Sequence, residues 1–205
     1  MKISKDKSGV SAKGIHTLSV CDMTSRRAMT LERWISDLVQ RRNFLIKTGR
    51  TTERAITRIH DEYLEIISEL HKHFLVRKNV IENITTTVGR SALAQRLCNI
   101  TTYTGIVNYC ALGSNNAVPI VGNVKLGTET YRKALSTGAA SSNVAYLETF
   151  FTKTEVTGTF EEYGFFIDGT GAADSGQLLN RFTGSTTKSG TESLNVQSTI
   201  TLSDA

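Results

Sequence analysis

The chain has 205 residues, of which 39% are hydrophobic, and it contains one proline, three cysteines and 16 glycines. This length is enough for one large domain or two small ones to fold without disulfides or metals. The low cysteine count excludes a disulfide scaffold, and the lack of a glycine period excludes a collagen-like chain. No run approaches the roughly 18 apolar residues that a membrane span needs, so we expect no membrane protein.

The net charge of +5 is unevenly distributed along the chain. Residues 1–90 carry 17 basic against 10 acidic residues, whereas residues 91–205 carry 7 against 9. This division predicts two parts with different physical tasks. The cysteines, Cys21, Cys98 and Cys110, are odd in number and form no CxxC or Cys/His cluster. We therefore expect reduced thiols in a protein made in a cytosol.

The first segment, residues 1–24, is rich in Lys, Ser and Gly and has only scattered apolar residues. Alone, it cannot bury enough surface to offset the entropy lost on ordering, which predicts a flexible N-terminal arm. Its first nine residues carry charge but no apolar stretch, so they do not match a secretory signal. We expect such an arm to become ordered only against a neighbouring subunit.

Helical periodicity governs residues 25–99, which we predict to be a helical anchoring region. The first helix has Thr30 as its expected N-cap, and Gly49 is expected to end it. Its apolar stripe consists of Leu31, Trp34, Ile35, Leu38 and Leu45. The second helix begins near Thr51 or Thr52, and the two should form an antiparallel hairpin. A third, shorter helix is predicted over residues 85–99, with an apolar face made of Val88, Ala92, Leu93, Leu97 and Cys98.

The second helix carries an apolar stripe at a spacing close to that of a heptad seam. Two interpretations stay open: the stripe packs within its own chain, or part of it contacts other subunits. A two-helix hairpin has too little core to be stable alone, so the stripe is a candidate subunit interface. Its residues are Ile56, Ile59, Tyr63, Ile66, Leu70 and Phe74.

Basic residues are concentrated in the first two helices. They could neutralise phosphates and give salt-dependent, non-specific binding to nucleic acid. However, Glu62, Glu65 and Glu69 follow directly on the second helix, and few aromatic residues lie among the basic ones. This pattern favours a solvated face or contact with an acidic partner protein over nucleic acid. The candidates for that contact are Arg41, Arg42, Arg50, Arg54 and Arg58.

Residues 100–205 are rich in Thr, Ser and Gly, with short apolar runs separated by turn residues. The pattern predicts six strands without intervening helices, and the last one alternates well between apolar and polar residues. The strands are expected over residues 105–112, 128–136, 145–154, 159–167, 177–183 and 193–202. We therefore predict a segregated α+β fold. An N-terminal helical hairpin with a flexible arm precedes an antiparallel, jelly-roll-like β-sandwich over residues 100–205.

No residue pattern points to catalysis. His71 and His73 are two residues apart, which on a helix directs them about 200° apart, so they cannot share a metal ion. Glu161 and Glu162 would point to opposite faces of one strand and cannot both flank a glycosidic bond. The sequence contains no GxSxG, GxGxxG or P-loop motif. It therefore predicts a protein that is not an enzyme and holds no metal or cofactor.

From the third helix onwards, the chain resembles a module of structural proteins in tailed-bacteriophage particles. The resemblance spans about residues 80–205 and rests on the order and spacing of its segments rather than on a single motif. The segments are Asn83–Thr85, Gly89–Leu97, Tyr109–Gly113, Thr130–Ala134, Ala145–Phe151, Glu162–Gly169, Gly176–Arg181 and Thr187–Ile200. The basic helices before residue 80 lie outside it.

The resemblance implies a non-enzymatic structural component of a virion, made in the cytoplasm of a bacterial host. Its expected position is the tail, baseplate or collar, where it would dock by its helices and attach or support tail fibres. Its expected partners are copies of itself and other virion proteins (portal, adaptor, tail ring or fibres), with no membrane and no nucleic acid. A receptor- or carbohydrate-binding module and a capsid decoration protein are the alternatives.

Overall fold

The computed structural model describes residues 10–82 and 84–204, in which ten strands and three helices follow one another. The helices are α1 (Arg26–Lys47), α2 (Glu53–Phe74) and α3 (Thr87–Leu97). The strands are β1 (Val10–Asp22), β2 (Leu75–Glu82), β3 (Ile84–Thr85), β4 (Val107–Gly113), β5 (Glu129–Ala134), β6 (Thr137–Ser141), β7 (Val144–Phe151), β8 (Gly158–Ile167), β9 (Gln177–Lys188) and β10 (Glu192–Asp204).

The strands form two antiparallel five-stranded sheets. The first sheet has the order β2-β1-β10-β7-β6 and the second has the order β3-β9-β8-β4-β5. The main hydrophobic core lies between them, with Leu18, Phe151 and Val196 from the first sheet and Phe165 and Phe182 from the second. Each side chain of this kind that is buried stabilises the fold by roughly 1.5–3 kcal/mol. The predicted antiparallel, sandwich-like arrangement is thus confirmed.

Each sheet is also covered on its outer face. Helices α1 and α2, which we call the helical pair, lie on the first sheet, where Tyr63 packs with Cys21 and Phe150. Helix α3 and the loop residue Leu126 cover Phe166 of the second sheet. The helical pair and α3 therefore lie on opposite sides of the sandwich.

The flexible arm predicted over residues 1–24 is corrected for the part that the structure describes. Val10–Asp22 forms β1, which lies between β2 and β10 and pairs with Glu192–Asp204 along its whole length. His16, Leu18 and Val20 of this strand are buried, at most 1% exposed. Alternate residues of β1 therefore face the inside of the sandwich. The Lys, Ser and Gly composition of the segment hides this alternation in the sequence. Residues 1–9 lie outside the described residues.

Helices and strands are not segregated along the chain as predicted. The helical pair is inserted between β1 and β2, which are neighbours in one sheet, and β3 pairs with β9 of the other sheet. The predicted boundaries at residues 24 and 99 therefore do not follow the sheets. The reason is the long-range pairing of β1 with β10, which joins the two ends of the chain in one sheet.

The six strands predicted after residue 100 correspond to β4, β5, β7, β8, β9 and β10. The predicted third helix is α3, whose N-cap Thr86 accepts a hydrogen bond from the amide of Gly89 at 3.1 Å. Gly89 allows α3 to approach β9, because a Cβ at this position would lie 2.6 Å from the Cα of Leu179. The predicted apolar face is wrong at its far end, since Leu97 is 90% exposed and Cys98 is exposed.

Candidate functional site

Side-chain N-caps fix where the two helices of the helical pair begin. Helix α1 begins after Ser25, whose hydroxyl accepts from a first-turn amide at 3.0 Å, and not at the predicted Thr30. Helix α2 begins after Thr52, as predicted, and this hydroxyl accepts from a first-turn amide at 3.2 Å. Gly49 lies in the left-handed region at φ +65°, where the chain leaves α1. Such a turn is readily available to glycine and strained for other residues.

The two helices run antiparallel, and their linked end extends away from the sandwich. Arg27 near the start of α1 pairs with Glu69 near the end of α2, and Arg41 lies 3.8 Å from Glu62 between their charged atoms. We call residues 43–58 the helical tip. All of its residues are exposed except for three half-buried ones, Leu45, Ala55 and Ile56. The tip is therefore a surface that the rest of the described chain leaves open.

The stripe predicted as a subunit interface lies largely inside the chain, which corrects that prediction. Three of its residues are at most 2% exposed, namely Ile59, Tyr63 and Leu70. The other three are half-buried, namely Ile56, Ile66 and Phe74. The physical reason is that the face of α2 carrying these residues is the one that packs on the first sheet and on α1. Its central residues, Ile59, Tyr63 and Leu70, therefore pack within the chain.

Two of the five predicted basic contact residues pair within the chain. Nε of Arg58 lies 2.9 Å from Oε1 of Glu62, and Nη1 of Arg41 lies 3.8 Å from Oε2 of the same carboxylate. The side chains of both arginines nevertheless stay 73% and 56% exposed. Exposed ion pairs of this kind contribute about 0–1 kcal/mol, so both cations can still be engaged by a partner.

The other three differ in exposure. Nη1 of Arg42 donates to the carbonyl of Leu135 at 3.4 Å, and burial lowers the pKa of this guanidinium. Arg42 therefore faces the sandwich, and it is the only one of the five that is not exposed. Arg50 and Arg54 are exposed at the helical tip and make no salt bridge to any described residue. They are the two of the five predicted cations that are exposed and make no salt bridge to a described residue.

A groove of about 390 Å³ lies between α1 and α2. It is lined by Trp34, Asp37, Leu38, Arg41, Glu62, Glu65 and Ile66. Trp34, the only tryptophan of the chain, is 53% exposed, and Phe44 at the tip is 57% exposed. The sequence placed Trp34 in the packed stripe of α1, and the structure turns it towards solvent. The helical pair therefore presents two exposed aromatic rings that sequence reasoning missed.

Charge on the exposed side of the helical pair changes sign along its length. Near the link, the exposed cations are Lys47, Arg50, Arg54 and Arg58. Further from the link, the exposed anions are Asp37, Asp61 and Glu65. At a rise of 1.5 Å per residue, Arg54 and Glu65 lie about 16 Å apart along α2. The surface therefore has a basic end and a middle in which the acidic residues outnumber the exposed Arg33 and Arg41.

Buried hydrogen bonds fix α2 to the first sheet. The hydroxyl of Tyr63 donates to Oδ1 of Asn195 at 2.9 Å, and Nδ2 of Asn195 donates to Oε2 of Glu148 at 3.0 Å. Nε2 of Gln197 donates to Oε1 of Glu148 at 2.9 Å. Glu148 is completely buried, and burial raises the pKa of its carboxyl group to about 7. These groups, all buried except for the half-buried Gln197, position the helical pair on the sheet.

A buried ion pair on the second sheet fixes a loop. Nε of Arg181 lies 2.8 Å from Oε2 of Glu162, and both side chains are at most 3% exposed. Glu162 also accepts from the amides of Gly127 and Thr128 at 2.8 and 2.6 Å. Arg181 donates to a carbonyl on the other side of the same loop at 2.9 Å. The pair therefore clamps residues 114–128 onto β8 and β9, so this carboxylate has a structural task.

An apolar cavity of about 250 Å³ lies at one end of the sandwich. Leu93, Val107, Leu147, Leu179 and Ile200 contribute to its lining, which contains no charged side chain. These residues belong to five different elements, so no local sequence pattern could have revealed the cavity. Its lining contains no aromatic ring on which a sugar could stack.

The described residues were also compared with the requirements of a metal site and of a membrane span. Within residues 10–82 and 84–204, no group of three or more His, Cys, Asp and Glu side chains is placed to hold a metal ion. No helix of that part of the chain is long and apolar enough to cross a membrane. Comparison with protein-family models, with curated proteins and with solved structures finds no match to this chain.

Proposed function

We propose that this chain is a non-enzymatic structural component of a tailed-bacteriophage particle that docks by its helical pair and presents its sandwich outwards. The observation that carries this proposal is the helical tip. Of residues 43–58, all but three are exposed; the segment carries four basic residues against the single acid Glu53, and it exposes the ring of Phe44. Exposed aromatic and arginine side chains on one projecting surface are typical of protein–protein contact sites.

The attachment of the helical pair to the first sheet supports the same function. A docked helix can hold a sandwich in place only if the connection between them is stiff. The bonds from Tyr63 through Asn195 to Glu148 provide such a connection, because every group in this buried chain has a partner. A structural role would therefore use the helical pair as the fixed end and the sandwich as the presented end.

The resemblance of residues 80–205 supports a position in the tail, baseplate or collar, with attachment or support of tail fibres. Other virion proteins (portal, adaptor, tail ring or fibres) and further copies of the chain are the proposed partners. The jelly-roll-like connectivity, the host-cytoplasmic synthesis and the absence of catalysis stay predictions. A capsid decoration protein would dock in the same way, whereas a carbohydrate-binding module would need a sugar platform elsewhere than in the apolar cavity.

The test uses particles whose genome encodes this chain, purified on a density gradient. Quantitative mass spectrometry is expected to find the chain at a fixed ratio to the tail proteins. When Arg50→Glu/Arg54→Glu replaces the wild-type chain, incorporation is expected to fall about tenfold, as a binding loss of roughly 1.4 kcal/mol would produce. The control Arg90→Glu reverses an exposed charge on α3 and should be incorporated normally. Wild-type particles without the chain, or normal incorporation of the tip variant, would overturn the proposal.

A further inference from the structure

We propose that the exposed side of the helical pair is a self-complementary interface, which binds the same surface of a second copy of this chain in antiparallel orientation. This inference rests on the proposed function, because it names one partner of the helical pair. It differs from the predicted interface, whose central residues are buried within the chain. The interface proposed here uses the opposite, solvent-facing side of the same two helices.

The charges on α2 are arranged as a two-fold contact requires. Arg54 and Arg58 are one turn apart, as are Asp61 and Glu65, and all four are exposed. The position midway between Arg58 and Asp61 is also midway between Arg54 and Glu65. A two-fold axis through that position would bring each arginine of one copy to an acid of the other. Such an isologous contact places the same patch of both subunits face to face.

The aromatic residues of α1 fit the same axis. Trp34 and Phe44 are 53% and 57% exposed, and the position midway between them is residue 39. The cross-helix pairs of Arg27 with Glu69 and of Arg41 with Glu62 set residue 39 level with residues 57 to 64 of α2, a range that contains the middle of its charged segment. One axis therefore brings Trp34 of each copy to the level of Phe44 of the other along the helices. Aromatic pairs of this kind add to the energy of area burial.

The change of charge sign selects a second copy over other partners. Asp37, Asp61, Glu65 and Arg54 make no salt bridge to any described residue, so charges of both signs are available on one surface. A uniformly acidic partner would attract the tip but repel the acidic middle. A second copy in antiparallel orientation places opposite charges together at both ends of the surface. In the parallel orientation, like charges would meet and repel each other.

The experiment is a charge-reversal exchange with the full chain. Two double variants are made, Arg54→Glu/Arg58→Glu and Asp61→Arg/Glu65→Arg. Each alone places like charges opposite each other, so its dimer should weaken at least about tenfold relative to wild type. Mixed together, the two variants should form a heterodimer, because acids and arginines then face each other at both contacts. A chain carrying all four substitutions should form a homodimer again.

The measurement is sedimentation velocity over a range of chain concentrations, with far-UV circular dichroism to check that each variant is folded. The control Arg90→Glu/Arg96→Glu reverses two exposed charges on α3 and should dimerise as wild type does. Emission from Trp34, the only tryptophan, should shift to shorter wavelength as the wild-type dimer forms. Raising the salt concentration should weaken the dimer.

A wild-type chain that stays monomeric, or double variants that dimerise as well as wild type, would overturn the inference. So would a mixture of the two variants that forms no heterodimer although both are folded. If the wild-type chain is monomeric yet is incorporated into particles, the self-contact fails and the structural function stands. If it dimerises but no particle contains it, the structural function fails and the self-contact stands.

Discussion

Replacing Glu148 with Gln tests whether the helical pair is mounted on the sheet through a buried carboxyl group. Burial raises the pKa of this group from 4.5 to about 7, while amides of Asn195 and Gln197 donate to it. Because the folded-state pKa lies above the unfolded one, the stabilisation is fully present below about pH 4.5. It is lost progressively as the pH rises to about 7. A pKa difference of this size corresponds to a loss of about 3 kcal/mol as an upper limit.

Wild type, Glu148→Gln and the exposed control Glu82→Gln are unfolded thermally and with urea near pH 5 and near pH 7.5. Between these pH values, wild type and control should lose up to about 2.5 kcal/mol more than the Glu148→Gln variant, or roughly 5–10 °C for a chain of this size. Gln197 is half-buried, so its amide can turn to meet the new side chain. Burial lowers the pKa of His60, which opposes the trend equally in all three proteins.

The result that refutes this reasoning is an identical pH dependence of the unfolding free energy in wild type and Glu148→Gln. The carboxyl group would then be ionised in the folded protein at no cost. In that case the contact between α2 and the first sheet would have to be wetter than the hydrogen bonds of Tyr63 and Asn195 indicate.

Three further outcomes follow from single contacts. Arg181→Ala leaves a buried carboxylate unpaired, so the urea unfolding free energy should fall by about 3–5 kcal/mol; a loss below about 1 kcal/mol would contradict the clamp on residues 114–128. Thr52→Ala removes the N-cap of α2 and should cost about 1 kcal/mol, measured by thermal unfolding, whereas an unchanged midpoint would show that the cap does not act. Only Cys98 should react with a thiol reagent in the folded protein, because Cys21 and Cys110 are buried. Burial also raises the pKa of Cys21 to about 12. Three reactive thiols before unfolding would contradict this prediction.

The fold was predictable where local pattern and structure coincide. The strands after residue 100 are short apolar runs with turn residues at their ends, so six of them could be located from the sequence. Strand β6 was missed because Gly138, Ala139 and Ala140 have no large side chain to signal burial. Strand β2 was missed because it lies at a sheet edge and is almost wholly exposed. Strand β1 depends on pairing with residues about 180 positions away, which no local window can detect.

The candidate site was predictable only in part. The position of the two long helices and the basic character of their link could be read from the sequence. The sequence could not show which face of α2 packs inside the chain. Ile59 and Tyr63 fit a subunit interface and an internal contact equally well until the position of the first sheet is known. Trp34 illustrates the converse, since its spacing matches the packed stripe although its ring faces solvent.

The central claim is that the helical pair is the docking end of the molecule. The most direct measurement is a cryo-EM reconstruction of particles whose genome encodes this chain, with the chain traced. The account predicts that residues 43–58 and Trp34 lie against a neighbouring subunit while the sandwich faces outwards. A particle in which this surface is open to solvent, and the sandwich edges make the contacts instead, would contradict it.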